Sequence, residues 1–208
     1  GPAQLLGEVA GEGGDGDDAL VVEPYYTNYN SFATMAGVRL VPLRSKGEDG
    51  FHLPPREAWE RALTPRTRLV LLCNPNNPTG TVYSREELLM VASFCRDHGL
   101  FLVADEVYRE FVYDGAHSVS ALSLGGFEDQ VILGACNPRF AYRGIQVEPS
   151  LGLLLPCNVV VRHSAGVTVV ETIDPETMVT LTGNPEMEAV ALEVRAGLKA
   201  ALERVAAS

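Results

Sequence analysis

Residues 67–105 read TRLVLLCNPNNPTGTVYSREELLMVASFCRDHGLFLVAD: a strand, a loop, a helix and a second strand in direct succession. Thr67 to Leu72 is an almost unbroken apolar run, as expected where both faces of a sheet are covered. The helix is well marked. Ser84 caps it and Glu87 stands at the capping-box position. Leu88, Leu89, Val91, Ala92 and Phe94 recur on one face, and Gly99 ends it. Leu100 to Ala104 then supplies another buried strand, so the unit predicts parallel strands joined by a helix.

The same grammar extends outward. Ala19 to Val22 and Arg39 to Leu43 are two further strands, and from Asp17 to about Val131 the chain predicts an α/β fold with a parallel sheet covered by helices. Beyond Gly125 the pattern changes. Val131 to Ala135 is a strand, and Asn137-Pro138 caps and opens a helix that runs to about Val147. Leu151 to Val161 and Val167 to Thr172 read as strands around a turn at His163-Ser164-Ala165-Gly166. Asn184-Pro185 opens a last helix, with Met187, Val190, Ala191, Val194, Leu198, Ala201, Leu202 and Val205 on a stripe expected to pack on a sheet. Glu188, Glu193, Arg195, Lys199 and Glu203 fall on its wet face. The expected organisation is an α/β segment over residues 1–129 followed by an α+β segment over 130–208. Whether the two merge into one sheet is open at this point.

Composition excludes several classes. The chain has 208 residues, 46% of them apolar, enough to bury a substantial core. Its formal charge of −11 opposes attraction to nucleic acid and to anionic membrane surfaces. No apolar run is long enough to span a bilayer, and Gly1-Pro2-Ala3 lacks the features of a secretory signal, so a cytoplasmic location is expected. Cys73, Cys95, Cys136 and Cys157 are far apart, and His52, His98, His117 and His163 are isolated. Neither a metal site nor a disulfide framework is expected from that spacing.

Three ordered pieces, Gly16-Asp17-Asp18-Ala19-Leu20-Val21-Val22-Glu23-Pro24-Tyr25-Tyr26, Asn74 to Gly80, and Ala104-Asp105-Glu106-Val107-Tyr108, carry a resemblance. The stretch from Gly16 to about Leu124 resembles the large domain of class I and II, fold-type-I, aminotransferases that use pyridoxal phosphate. The resemblance implies that Asp105 pairs with the pyridine nitrogen and keeps it protonated, making the ring an electron sink. It implies that Asn77 and Tyr108 bond the ring's phenolic oxygen and that Tyr26 stacks on the ring face. Considered singly, Asn77 reads equally well as a turn residue before Pro78, and Asp105 as a cap just past a strand.

The resemblance also has a gap. Family members next show a strand ending in Ser-x-Ser-Lys, the lysine carrying the Schiff base, whereas here Val131 to Ala135 is followed by Cys136-Asn137-Pro138-Arg139. Lys46 and Lys199 are the chain's two lysines, and neither stands at that position. Arginine is no substitute, because the guanidinium stays protonated. The family's small C-terminal domain is not found in the sequence either. Instead, residues 130–205 resemble the second half of the bacterial family 302 of the domains of unknown function. This similarity is carried by Val131 to Pro138, Ala141-Tyr142-Arg143, Gly152 to Val161, Ile173-Asp174-Pro175, Met178 and Gly183-Asn184-Pro185-Glu186.

The expectation is thus a hybrid chain with no catalytic residue set, no covalently held cofactor, and a vestigial pyridoxal phosphate pocket at Tyr26, Asn77, Asp105 and Tyr108. Two alternatives stand beside it: a degenerate relative that binds pyridoxal phosphate noncovalently, and a small-ligand or thiol-dependent module using Cys136 and Cys157. The resemblance further implies a homodimer.

Overall fold

The computed structural model describes residues 16–113, 115–127, 131–134, 138–148, 158–164, 167–172 and 174–206. The strands are β1 (Asp18–Glu23), β2 (Arg39–Arg44), β3 (Thr67–Cys73), β4 (Phe101–Asp105), β5 (Val131–Gly134), β6 (Asn158–Ser164) and β7 (Val167–Thr172). The α-helices are α1 (Asn28–Met35), α2 (Arg56–Ala62), α3 (Arg85–His98), α4 (Pro138–Val147), α5 (Glu176–Thr182) and α6 (Glu188–Ala206).

Among the described residues, the seven strands form one sheet in the order β2-β1-β3-β4-β5-β6-β7. The first five run parallel, and β6 and β7 are antiparallel additions. The two segments of the sequence therefore share a sheet. The join is β5, which pairs with β4 from Leu102↔Val131 to Asp105↔Gly134 and with β6 at Leu133↔Val159 and Gly134↔Asn158.

Alternation along the strands splits the core in two. Leu20, Val22, Val70, Leu72, Leu102 and Ala104 face α2 and α3, where Trp59, Leu88, Val91 and Phe94 complete the packing. Ala19, Val21, Leu69, Leu71, Cys73 and Val103 face the other way and meet Tyr29 and Ala33 of α1. Both sets are buried, which is why these strands are apolar throughout rather than alternating.

Helix α3 is as its sequence predicts. The Ser84 hydroxyl accepts from Glu87 N, Glu87 Oε2 accepts from Ser84 N at 2.8 Å, and Gly99 closes the helix in the left-handed region at φ 64. Glu87 does a second job, its Oε1 accepting from Leu53 N at 2.8 Å, so the cap also ties down the loop before α2. Ser84→Ala is expected to cost about 1 kcal/mol, and Glu87→Ala more than that, because three donors (Ser84 N, Leu53 N and the His52 ring) lose their acceptor. Urea denaturation of the two variants checks the order.

Three features differ from the sequence expectation. His163 and Ser164 are not turn residues: they extend β6 and pair with Thr168 and Val167, since a β-branched ladder gains more by continuing than by turning early. Of the strand expected over Leu151 to Val161, the part before Asn158 lies outside the described residues. Helix α5 has no counterpart in the sequence reading. Its sequence, ETMVTLT, is rich in β-branched residues, and it is held by Met178, buried at 6% exposure, and by Gly183 at its end. Of the stripe expected on the last helix, Met187 in the turn just before α6 and Val190 and Ala191 on it are buried, Val194, Leu198, Ala201 and Leu202 are half-buried, and α6 packs against α4 and α5.

Candidate functional site

Parallel strands bring their carboxyl ends to one edge of the sheet, and β3 and β4 are neighbours there. Cys73, the last residue of β3, is in register with Asp105, the last of β4, and Asn74 N donates to Asp105 O at 2.9 Å. The loop after β3 and the segment after β4 therefore start side by side. This is the edge at which open α/β sheets carry ligands.

The three asparagines of the first loop divide the work. Asn74 and Asn76 are buried and structural. Asn74 Oδ1 accepts from Tyr83 N at 2.9 Å, while Asn76 Nδ2 donates to Pro24 O at 3.1 Å and to the Thr79 hydroxyl at 2.9 Å. Asn77 is half-buried, and its Nδ2 donates to the Tyr108 hydroxyl at 3.1 Å. The amide and phenol that the sequence singled out thus meet across the gap between the two segments. The phenol keeps its own proton to offer a third oxygen.

The two carboxylates after β4 also part company. Glu106 is buried and turns inward, its Oε1 accepting from Ala121 N at 2.7 Å to hold the 121–124 turn. Asp105, 7% exposed, accepts from Val107 N at 3.2 Å through Oδ1 and from the Tyr29 hydroxyl at 2.6 Å through Oδ2. The bond to Val107 is the local cap that the sequence allowed for, and it coexists with the long-range contact. Burial pushes the Asp105 carboxyl above the ordinary range, partly opposed by the Tyr29 hydroxyl and the Val107 amide. Burial likewise raises Tyr29 well above the usual phenol, with the charge of Asp105 adding to it. Cys73 beside them is pushed up to about 12 by burial and by Asp105, so this thiol is not a nucleophile.

Tyr26 is half-buried and sits edge-on to Tyr29, ring centroids 5.6 Å apart. The structure thus brings Asn77 to Tyr108, and links Tyr26 to Asp105 through Tyr29. Tyr29 is the residue that sequence reading passed over. It lies in the first turn of α1, and in the fold its ring stacks on Tyr25 with centroids 6.3 Å apart and meets Tyr26 edge-on.

The pyridine end of the expected cofactor fits these residues. An ionised Asp105 has about four lone-pair positions, and its two bonds leave room for a nitrogen donor. Asn77 and Tyr108 offer polar hydrogens beside it. The two lysines lie elsewhere: Lys46 is exposed after β2 and paired with Glu48 at 3.5 Å, and Lys199 is exposed on α6 near Glu203. Cys136 and Cys157, the residues of the thiol alternative, lie outside the described residues. No group of three or more His, Cys, Asp or Glu among the described residues is arranged to hold a metal, and no described helix is long and apolar enough to cross a membrane.

Comparison with known proteins matches the family "Aminotransferase class I and II" over residues 5–139 and "Domain of unknown function DUF302" over residues 116–205. The chain is 38% identical over 149 residues to human kynurenine–oxoglutarate transaminase 1, covering 66% of this chain and 35% of that protein. It is 39% identical over 102 residues to the aspartate/prephenate aminotransferase of Thermus thermophilus, covering 49% and 26%. Among solved structures, an aromatic aminotransferase from Pyrococcus horikoshii superposes with a TM-score of 0.59 at 30% identity, covering 65% of this chain and 36% of that one. The chain spans about a third of the length of the curated relatives it matches.

Proposed function

Because the chain belongs to the class I and II aminotransferase family over residues 5–139, we propose that it keeps the ring-binding half of a pyridoxal phosphate site without the amine that would attach the cofactor. When bound, pyridoxal phosphate supplies an electron sink for carbanion chemistry. Asp105 holds the ring nitrogen's proton, and burial of the carboxylate makes a cationic or N–H partner worth more there than in water. Asn77 and Tyr108 orient the ring through its phenolic oxygen, and Tyr26 covers one face. Held this way, the cofactor is bound reversibly, and the chain does not run transamination, since Cys136-Asn137-Pro138-Arg139 and not a lysine stands directly after β5 where the proton would be moved.

The single observation that carries this reading is the Asn77–Tyr108 bond of 3.1 Å, formed across 31 residues beside a buried Asp105. A saturable change in the cofactor's visible absorbance on titration, weakened about tenfold or more in both Asp105→Ala and Tyr108→Phe, is the expected result. Equal binding by the parent and both variants contradicts it.

The two family matches overlap at residues 116–139, and β5 lies inside the overlap. We assign residues 1–129 to the aminotransferase-like segment and 130–208 to the other, with β5 as the shared strand that lets one sheet continue into the next. The family relationship supports a cytoplasmic location. It also supports a second copy of the chain as partner, and exposed Phe111 and Tyr113 near the site edge are apolar surface for that contact. Light scattering after size exclusion is expected to give twice the mass of 22.4 kDa, and a monomer mass contradicts the assignment.

A further inference from the structure

At the carboxyl ends of β1 and β2 lies an open surface cleft, of about 490 Å3, that the proposed site does not use. Strand order separates it from Asp105, since β3 lies between β1 and β4. Its walls are the rings of Tyr25 and Phe51, and its charged residues are Glu23 and Arg44. Glu23 and Arg44 form a loose pair, 3.9 Å between Oε2 and Nε, with both side chains exposed, at 40% and 91%. A pair that long and that wet gives each partner little, so both charges stay available to a ligand.

The aromatic wall is built rather than incidental. Phe51 is the one non-glycine residue with positive φ among the described residues, at 60, a conformation that costs a side-chain-bearing residue energy and persists only where its surroundings impose it. Two contacts impose it. Phe51 N donates to Lys46 O at 2.9 Å, and the Thr81 hydroxyl donates to Gly50 O at 2.8 Å. The ring lies over Gly47 so closely that a Cβ there would stand 3.3 Å from its Cζ. Opposite, the Tyr25 hydroxyl donates to Asn30 Oδ1 at 3.1 Å, which fixes the second ring.

From this arrangement we infer that the cleft binds a small zwitterion with an aromatic or aliphatic side group. Its ammonium meets Glu23, its carboxylate meets Arg44, and its apolar part lies between Tyr25 and Phe51. Such a ligand replaces one weak ion pair with two and covers two half-buried rings. None of the cleft's residues hydrogen-bonds Asp105, Asn77 or Tyr108; what joins the two places is the stack of Tyr25 on Tyr29 and the bond from Asn76 to Pro24 O.

Amide NMR titration of the 15N-labelled chain tests it, with L-phenylalanine as probe and phenylacetate and phenethylamine as controls that each lack one charge. Expected are saturable shifts at Tyr25, Ser45 and Phe51 with a Kd on the order of 1 mM. Binding weakens about tenfold or more for either control and in Glu23→Gln, Arg44→Gln and Gly47→Ala. The two charge variants change exposed side chains and leave the fold intact. Gly47→Ala moves only the Phe51 wall. No saturation by about 10 mM, equal binding of all three probes, or shifts confined to Asn77 and Asp105 would overturn the inference. Retention of the Tyr25 and Phe51 shifts in Asp105→Asn keeps the two sites distinct.

Discussion

Asp105→Asn is expected to make the ligand-free protein more stable at neutral pH, by about 1–3 kcal/mol, while removing its response to pyridoxal phosphate. The reason is that, among the described residues, no cation pairs with the buried Asp105. Its two bonds come from neutral donors, the Tyr29 hydroxyl at 2.6 Å and Val107 N at 3.2 Å, and burial still raises its pKa. An asparagine of the same shape keeps both contacts, because its Oδ1 accepts from Val107 and the Tyr29 hydroxyl turns round to accept from Nδ2. The pH dependence has a definite sign. A carboxyl whose folded pKa lies above its unfolded value of 3.8 binds its proton more tightly in the fold. Its contribution to stability is complete below the unfolded pKa and is lost as pH rises through the folded one. The amide that replaces it does not titrate, so the gain from the substitution is small in acid and grows as pH is raised. Stability that is sacrificed at one residue and recovered by abolishing a binding function marks a ligand site.

Asp18 makes the opposite prediction. Its side chain is completely covered, yet Arg39 grips both oxygens, at 2.7 and 2.6 Å, and the Thr64 hydroxyl donates at 2.6 Å. The Arg39 bonds, together with those from Thr64 and the charge of Arg66, outweigh burial and hold this carboxyl below the usual range. Asp18→Ala is expected to destabilise by about 2–4 kcal/mol, measured by urea denaturation at neutral pH. Here the folded pKa is depressed, so the stability is present above the unfolded value of 3.8 and is lost as pH falls through the folded pKa. Two buried aspartates of one sheet, at opposite ends of its strands, thus titrate in opposite senses. Asp18 sits at the amino end of β1 and ties β1 to β2, a stabilising role. Asp105 at the carboxyl end of β4 is costly to the empty fold.

Much of this is legible in the chain itself, for identifiable reasons. The β3-α3-β4 unit shows in the sequence because its signals are local: a capping box three residues wide, a helical stripe, a glycine stop. The candidate residues Asn77, Asp105 and Tyr108 show because the loop motifs follow strand ends, and parallel strands fix where their ends lie. Tyr29 does not show as part of the site, because its bond to Asp105 spans 76 residues. Nothing within reach of Tyr29 along the chain distinguishes it from a core tyrosine. Helix α5 is hidden by its threonines and valine, whose local preference for strands is overridden by burial of Met178. The sharing of one sheet is also beyond sequence reading. It depends on whether β5 has two free edges, and it has: β4 takes one and β6 the other.

On our proposal the chain holds the pyridoxal ring by side chains and has no amine to attach it. Borohydride reduction of the purified chain saturated with pyridoxal phosphate, followed by mass measurement and peptide mapping, tests this most directly. Removal of free cofactor is predicted to leave the mass of the unmodified chain at the Asp105 site. A stoichiometric phosphopyridoxyl adduct on Lys46 or Lys199 that disappears in Asp105→Ala would contradict it.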